Sequence, residues 1–193
     1  VWTTTLYDQG PAFLQWGIAI GAALTGAVCD TVRHRIPNGL TGPVWVAGLA
    51  WAAWNSGGAG LADAVAASVL LAAPYVLLFA FASGGAGDAK LMGALGAWLG
   101  LVSGLAALLG VALAGVAIAL AVAVFQRRLR QVLSDVVSAA KWPLVLLSTG
   151  VGLRGWRNTA PPHRAARRRM PYGPAIFAGV CAAALGVGLW RSW

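Results

Sequence analysis

Five aspartates hold all the carboxylate chemistry available to this chain: Asp8, Asp30, Asp63, Asp88 and Asp135, with no glutamate. Two of them, Asp30 and Asp88, stand at the edges of long apolar runs, each beside basic residues. A charge within or beside a membrane-spanning run is expensive, so such a residue is a functional candidate by default. Two carboxylates that share a site cannot both ionise cheaply, and the pair holds one proton between them near neutral pH. The ionised member can take a proton from water while the protonated member donates to a carbonyl oxygen. That arrangement hydrolyses an amide directly, with no covalent intermediate, metal or other cofactor. The pair titrates as a unit, so neither residue has a fixed role. The remaining acids have simpler readings. Asp8 lies in a polar stretch ahead of the first apolar run, and Asp63 opens the third run as an N-cap or first-turn acid. Asp135 lies on the polar face of an amphipathic segment.

Other reactive side chains are few. Cys29 and Cys181 fall inside apolar runs and form no Cys-x-x-Cys, which excludes a zinc knuckle. Both read as free thiols acting as small hydrophobes. His34 and His163 lie in arginine-rich loops and read as solvated. Gly84, Gly85 and Gly87 precede Asp88 and leave room for an extended substrate backbone beside it.

The elements that must position these residues are membrane helices. The chain is 59% hydrophobic and only 10% charged, against roughly 25% charged for a soluble domain. The expected fold is all-α: a polytopic helical bundle forming one membrane-embedded domain over residues 1–193. A crossing needs roughly 20 apolar residues. Spans are expected over about 11–29, 40–54, 64–82 and 172–190. The uncharged run from Lys90 to Arg127 is too long for one span and suits two, with a break expected at Ser103-Gly104. No charged, apolar and small-residue series precedes the first span, so no cleaved leader is expected on the protein itself.

Charge placement sets the count and the orientation. With six spans and the N-terminus outside, every Lys and Arg except Arg191 falls on the cytoplasmic side, as the positive-inside rule asks. One span between Lys90 and Arg127 would instead put the basic loop outside. Asp30 and Asp88 then share a membrane depth at the cytoplasmic face of the inner cell membrane. Trp2, Trp16, Trp54, Trp190 and Trp193 fit interfacial anchors. Within the basic loop 126–170, Leu129, Val132, Leu133, Val136, Val137 and Ala140 make one face of an interfacial amphipathic helix. The net charge of +9 attracts anionic lipid. No nucleic-acid motif accompanies it, so nucleic acid is not an expected partner. Gly96, Gly100 and Gly104 recur every four residues and read as a helix-packing face.

Three segments carry a resemblance. "GAGDAKL", residues 85–91, looks like the G-x-G-D motif of intramembrane aspartyl proteases with the Lys-Leu that prepilin peptidases often place after it. "DTVRHRIPNGLT", residues 30–41, looks like the other half of the type IV prepilin peptidase signature. "MPYGPAI", residues 170–176, is similar to that family's Pro-aromatic-Gly-Pro entry to its last span. The resemblance implies a substrate: a prepilin or pseudopilin whose basic leader is cut just before its hydrophobic helix. Carried over to this chain, it makes Asp30 and Asp88 the catalytic pair. Gly85 and Gly87 would shape the loop of the second aspartate. Pro37 and Asn38 would fix the chain after the first, with Asn38 also free to bond nearby backbone. Lys90 reads as a membrane anchor ahead of a helper to the carboxylates. Longer members carry a cysteine-bearing N-terminal region linked to methylation. This sequence lacks it, resembles the short peptidases of tight-adherence pilus systems, and is expected to have no methyltransferase activity.

Other readings stay open at this point. One is a broader intramembrane protease of the signal-peptide-peptidase or presenilin kind, although Asp30 follows Cys29 rather than a tyrosine. Another is a small transporter or channel using Asp30 and Asp88 as a proton or cation relay. A third is a catalytically silent assembly protein that keeps the motifs.

Overall fold

The computed structural model describes residues 12–82, 85–125 and 172–191. They form four helices: α1 (Ala12–Arg33), α2 (Asn38–Ala82), α3 (Ala86–Phe125) and α4 (Gly173–Arg191). No strand occurs among the described residues. Three helical stretches, Phe13–Arg33, Asn38–Phe79 and Ala86–Val122, are long and apolar enough to cross a membrane, and Gly173–Val187 is a shorter apolar helix. The chain divides into two compact units, residues 1–116 with 171–193, and residues 117–170. The packing described below belongs to the first. The amphipathic helix expected within 126–170 lies outside the described residues, as do Asp8, Asp135, Gly84 and His163.

Two of the helices are bent double. In α2 the bend is Gly57, with φ 59° and ψ −146°. In α3 it is Gly100, with φ 66° and ψ −174°. Both sit in a backbone region that is essentially restricted to glycine. The contacts across each bend give its size. Trp45 Nε1 donates to Ser68 Oγ at 3.1 Å, although the two residues would stand roughly 35 Å apart on a straight helix. In α3, Tyr172 lies over Gly115 and also within electrostatic reach of Asp88, whereas residues 88 and 115 of a straight helix would be roughly 40 Å apart. Each long helix is therefore a pair of arms folded back at a glycine.

The break in α3 falls at Gly100 and not at Ser103-Gly104. Ser103 and Gly104 are buried inside the second arm, where Gly104 packs against Leu71. The reason is Asp63. Its Oδ2 accepts the Leu101 N–H at 3.2 Å, filling one of the donors that a helix start leaves unpaired. Asp63 thus caps the second arm of α3 across the bundle, rather than the start of its own span as expected from the sequence. The expected glycine packing face is correct at two of its three positions. A Cβ on Gly96 would stand 2.7 Å from the Ala67 carbonyl oxygen, and one on Gly104 would press on Leu71. Gly100 is the bend itself.

Close glycine contacts also join the other helices. Gly26 of α1 faces Leu91 of α3, Gly48 of α2 faces Trp98, and Gly179 of α4 lies directly on the Val111 backbone. The core is assembled around these contacts from Leu71, Leu91, Met92, Leu95, Leu99, Val111, Ile176 and Val180, all of them buried. Small residues that let backbones approach are how apolar helices associate when lipid is as apolar as their side chains. Of the expected aromatic anchors, Trp54 is 89% exposed and Trp16 packs against the core.

Candidate active site

Asp30 lies one turn before the end of α1. The helix closes when His34 N–H donates to the Asp30 carbonyl at 2.9 Å and His34 takes a left-handed conformation, φ 50°. That conformation ends a helix at the residue after its last turn. The chain then runs through Ile36 to Pro37, and a residue before proline favours extended backbone. The Pro37 carbonyl accepts from Leu40 N at 3.0 Å and Thr41 N at 3.4 Å, opening α2 at Asn38. So the segment after Asp30 is a tight reversal set by one left-handed residue and one proline.

Asp88 lies in the first turn of α3, where its N–H reaches back to the Gly85 carbonyl at 3.2 Å. A first-turn acid faces the positive end of the helix dipole. A Cβ on Gly85 would stand 2.8 Å from Asp88 Oδ2, and one on Gly87 would stand 3.1 Å from Ile36 Cβ. Those two glycines therefore let the Asp88 carboxylate and the reversal after Asp30 approach the α3 start. Lys90, exposed, donates from Nζ to Asn38 Oδ1 at 2.9 Å. Through that bond the Asn38 side chain ties the first residue of α2 to the first turns of α3.

The two aspartates come together through three helices. Gly26 on α1, one turn before Asp30, meets Leu91 on α3, one turn after Asp88. The N-terminus of α4 then closes the group. Gly173 N–H donates to Asp30 Oδ2 at 2.9 Å, and a Cβ on Gly173 would stand 2.8 Å from Ala27 Cα and 3.0 Å from Asp30 Cβ. Asp30 and Asp88 are both half-buried and lie within electrostatic reach of each other. Among the described residues no hydrogen bond reaches the Asp88 carboxylate, and Asp30 keeps Oδ1 unpaired. Two half-buried carboxylates within electrostatic reach of each other can share one proton. Among the described residues no cluster of His, Cys, Asp and Glu is arranged to hold a metal ion.

Two tyrosines to which sequence reasoning assigned no role at the site stand beside this pair, one of them the aromatic of the segment 170–176. Tyr75 of α2 and Tyr172, just ahead of α4, meet edge to face with ring centroids 6.0 Å apart. Both lie within electrostatic reach of Asp88. Tyr75 was visible as a lone phenol inside an apolar run. A buried phenol normally finds a polar partner, and that was the signal available.

Asp63 is not part of this group. Its contact with Leu101 lies roughly 20 Å along α3 from Asp88.

A family model described as the type IV leader peptidase family matches residues 17–120, more than half of the chain. The matched stretch includes Asp30, Pro37, Asn38, Gly85, Gly87, Asp88 and Lys90. No curated protein and no solved structure matches the chain.

Proposed function

The chain belongs to the type IV leader peptidase family, and from that premise we propose that it is a membrane aspartyl endopeptidase acting through Asp30 and Asp88. Its substrate is a prepilin or related pseudopilin, whose basic leader it removes where the leader meets the hydrophobic helix. The observation that supports this reading is the convergence of the two aspartates at the junction of α1, α3 and the α4 N-terminus, where Gly173 N–H holds Asp30 within electrostatic reach of Asp88.

The chemistry balances without a cofactor. One carboxylate takes a proton from a water held between the pair, and the water oxygen bonds to the scissile carbonyl carbon. The other carboxyl donates its proton to the carbonyl oxygen. As the tetrahedral gem-diol collapses, the C–N bond breaks, the protonated carboxyl donates to the departing amine, and one gem-diol hydroxyl gives its proton to the ionised carboxylate. The pair returns to its one-proton state. The amide of Gly173 keeps Asp30 in place through this cycle. Gly85 and Gly87 let the Asp88 carboxylate and Ile36 pack against the start of α3. Pro37, Asn38 and Lys90 hold the reversal between α1 and α2 against the start of α3.

Counting each arm of α2 and α3 as a crossing gives six spans with α1 and α4. With that count, and with the positive-inside rule for orientation, our reading is that Asp30 and Asp88 lie at the cytoplasmic face of the cell membrane, with the N-terminus outside. The basic surface repels a basic leader, so the leader's charges rest on anionic lipid and recognition falls to the apolar helix. A proton or cation relay would need acids spaced along one path through the bundle. Asp63, the one other acid among the described residues, is engaged at Leu101.

Co-expression with a prepilin tests the reading. The parent protein should release the leader, seen as a mobility shift and a new N-terminus. Full processing by Asp30→Asn or by Asp88→Asn would defeat the shared-proton mechanism.

A further inference from the structure

The mechanism above makes no use of Tyr75 and Tyr172, although both stand at the site. Tyr75 is 7% exposed. A phenol hydroxyl taken out of water is costly unless it is paired, and phenylalanine would fill the same space without that cost. The pairing is with Tyr172, whose ring it meets edge to face at 6.0 Å and whose hydroxyl shares a hydrogen bond with its own.

Tyr172 is held from several directions. Its carbonyl accepts from Ala175 N at 3.0 Å and from Ile176 N at 3.2 Å, so it opens α4. Its hydroxyl lies directly on Gly115, where a Cβ would find no space. The next peptide N–H, that of Gly173, is the one on Asp30 Oδ2. Moving the Tyr172 ring therefore moves the amide that grips Asp30. The ring's other neighbour is Asp88. Among the described residues, the titratable groups facing Asp88 from the elements around it are Asp30 on α1, Tyr75 on α2 and Tyr172 ahead of α4. On its own helix, Lys90 is bonded to Asn38.

We propose that the Tyr75–Tyr172 hydroxyl pair is a positioning element for the aspartates: it locks the α4 N-terminus so that Gly173 stays on Asp30, and it fixes the polar surroundings of Asp88. Its activity readout rests on the aspartyl peptidase reading. Neither tyrosine is assigned a proton-transfer step.

The test uses the purified full chain with Tyr75→Phe, Tyr172→Phe and the double substitution. Each single variant keeps its ring and is expected to melt in detergent close to the parent. Each should lower kcat for leader cleavage about tenfold, with KM within about twofold, and displace the pH-rate profile. The double variant should be no slower than the slower single, because both substitutions remove the same bond. Parental rates with a parental pH profile in both singles, or losses that multiply in the double, would overturn the proposal. A second measurement needs no substrate. With isotope-labelled aspartate carboxyls, the Asp88 resonance is identified by its loss in Asp88→Asn. Its titration midpoint should move in both tyrosine variants, and an unmoved midpoint in both overturns the proposal. If the parent cleaves no prepilin, the peptidase reading fails, and this titration decides the tyrosine pair by itself.

Discussion

Two ends of the same bundle use an aspartate on an apolar helix, and they use it in opposite ways. At the Gly100 end, Asp63 Oδ2 fills a backbone donor at the start of a helical arm, beside a glycine whose φ of 66° makes the bend. At the other end, Asp30 accepts one amide from α4, and Asp88 faces a second carboxylate and two phenols without a hydrogen bond among the described residues. Residue type and apolar setting are the same. What differs is the company each acid keeps. Asp63 and Asp30 each accept one backbone amide, but Asp63 does so at a helix start, whereas Asp30 lies within electrostatic reach of a second carboxylate, Asp88. On the proposed peptidase reading, only that pair acts on a substrate and a water.

Substitutions can break or sharpen this contrast. The largest effect is expected at the dyad: Asp30→Asn or Asp88→Asn should lower leader cleavage by more than about a thousandfold while leaving the protein extractable and folded. Next is Gly173→Ala. Its Cβ would meet the Ala27 backbone at 2.8 Å and Asp30 at 3.0 Å, and backbone cannot yield as a side chain can. Cleavage should fall by about a hundredfold, as expected when a catalytic group is displaced by about 1 Å. Thermal melting should fall as well.

Asp63 should respond in the other currency. Asp63→Ala removes a cap and should cost about 1–2 kcal/mol of stability, read as a lower melting temperature, with cleavage by the surviving folded protein unchanged. Asp63→Asn keeps an acceptor oxygen and should lose less. Loss of cleavage in a folded Asp63→Asn protein would erase the contrast between the two ends. The smallest effect is expected for Lys90→Met. It breaks one exposed hydrogen bond to Asn38, and cleavage should drop by no more than about threefold, within the range of a surface contact.

Much of this contrast was legible in the sequence, for identifiable reasons. Apolar runs of membrane length are a strong signal, and few charges interrupt them. That left Asp30 and Asp88 conspicuous at the run edges, in segments whose resemblance agrees with the family match over residues 17–120. The all-helical fold follows from the same runs. What was not legible depended on partners distant in sequence. Any glycine in the Gly96, Gly100, Gly104 series can bend a helix. Asp63, far away in the chain, supplies the acceptor that the new helix start requires, so the bend falls at Gly100. Asp63 read as a cap on its own span because local capping rules see only neighbours. The Asn38–Lys90 bond and the Tyr75–Tyr172 pair join residues from different helices. Apolar periodicity carries no information about such polar pairings.

The central claim is that Asp30 and Asp88 act as one unit, and its most direct test is single-turnover cleavage of a prepilin by purified Asp30→Asn, Asp88→Asn and the doubly substituted protein. A unit predicts that each single substitution removes nearly all activity and that the double is no slower than either single. A single variant that cleaves within about tenfold of the parent would contradict the claim.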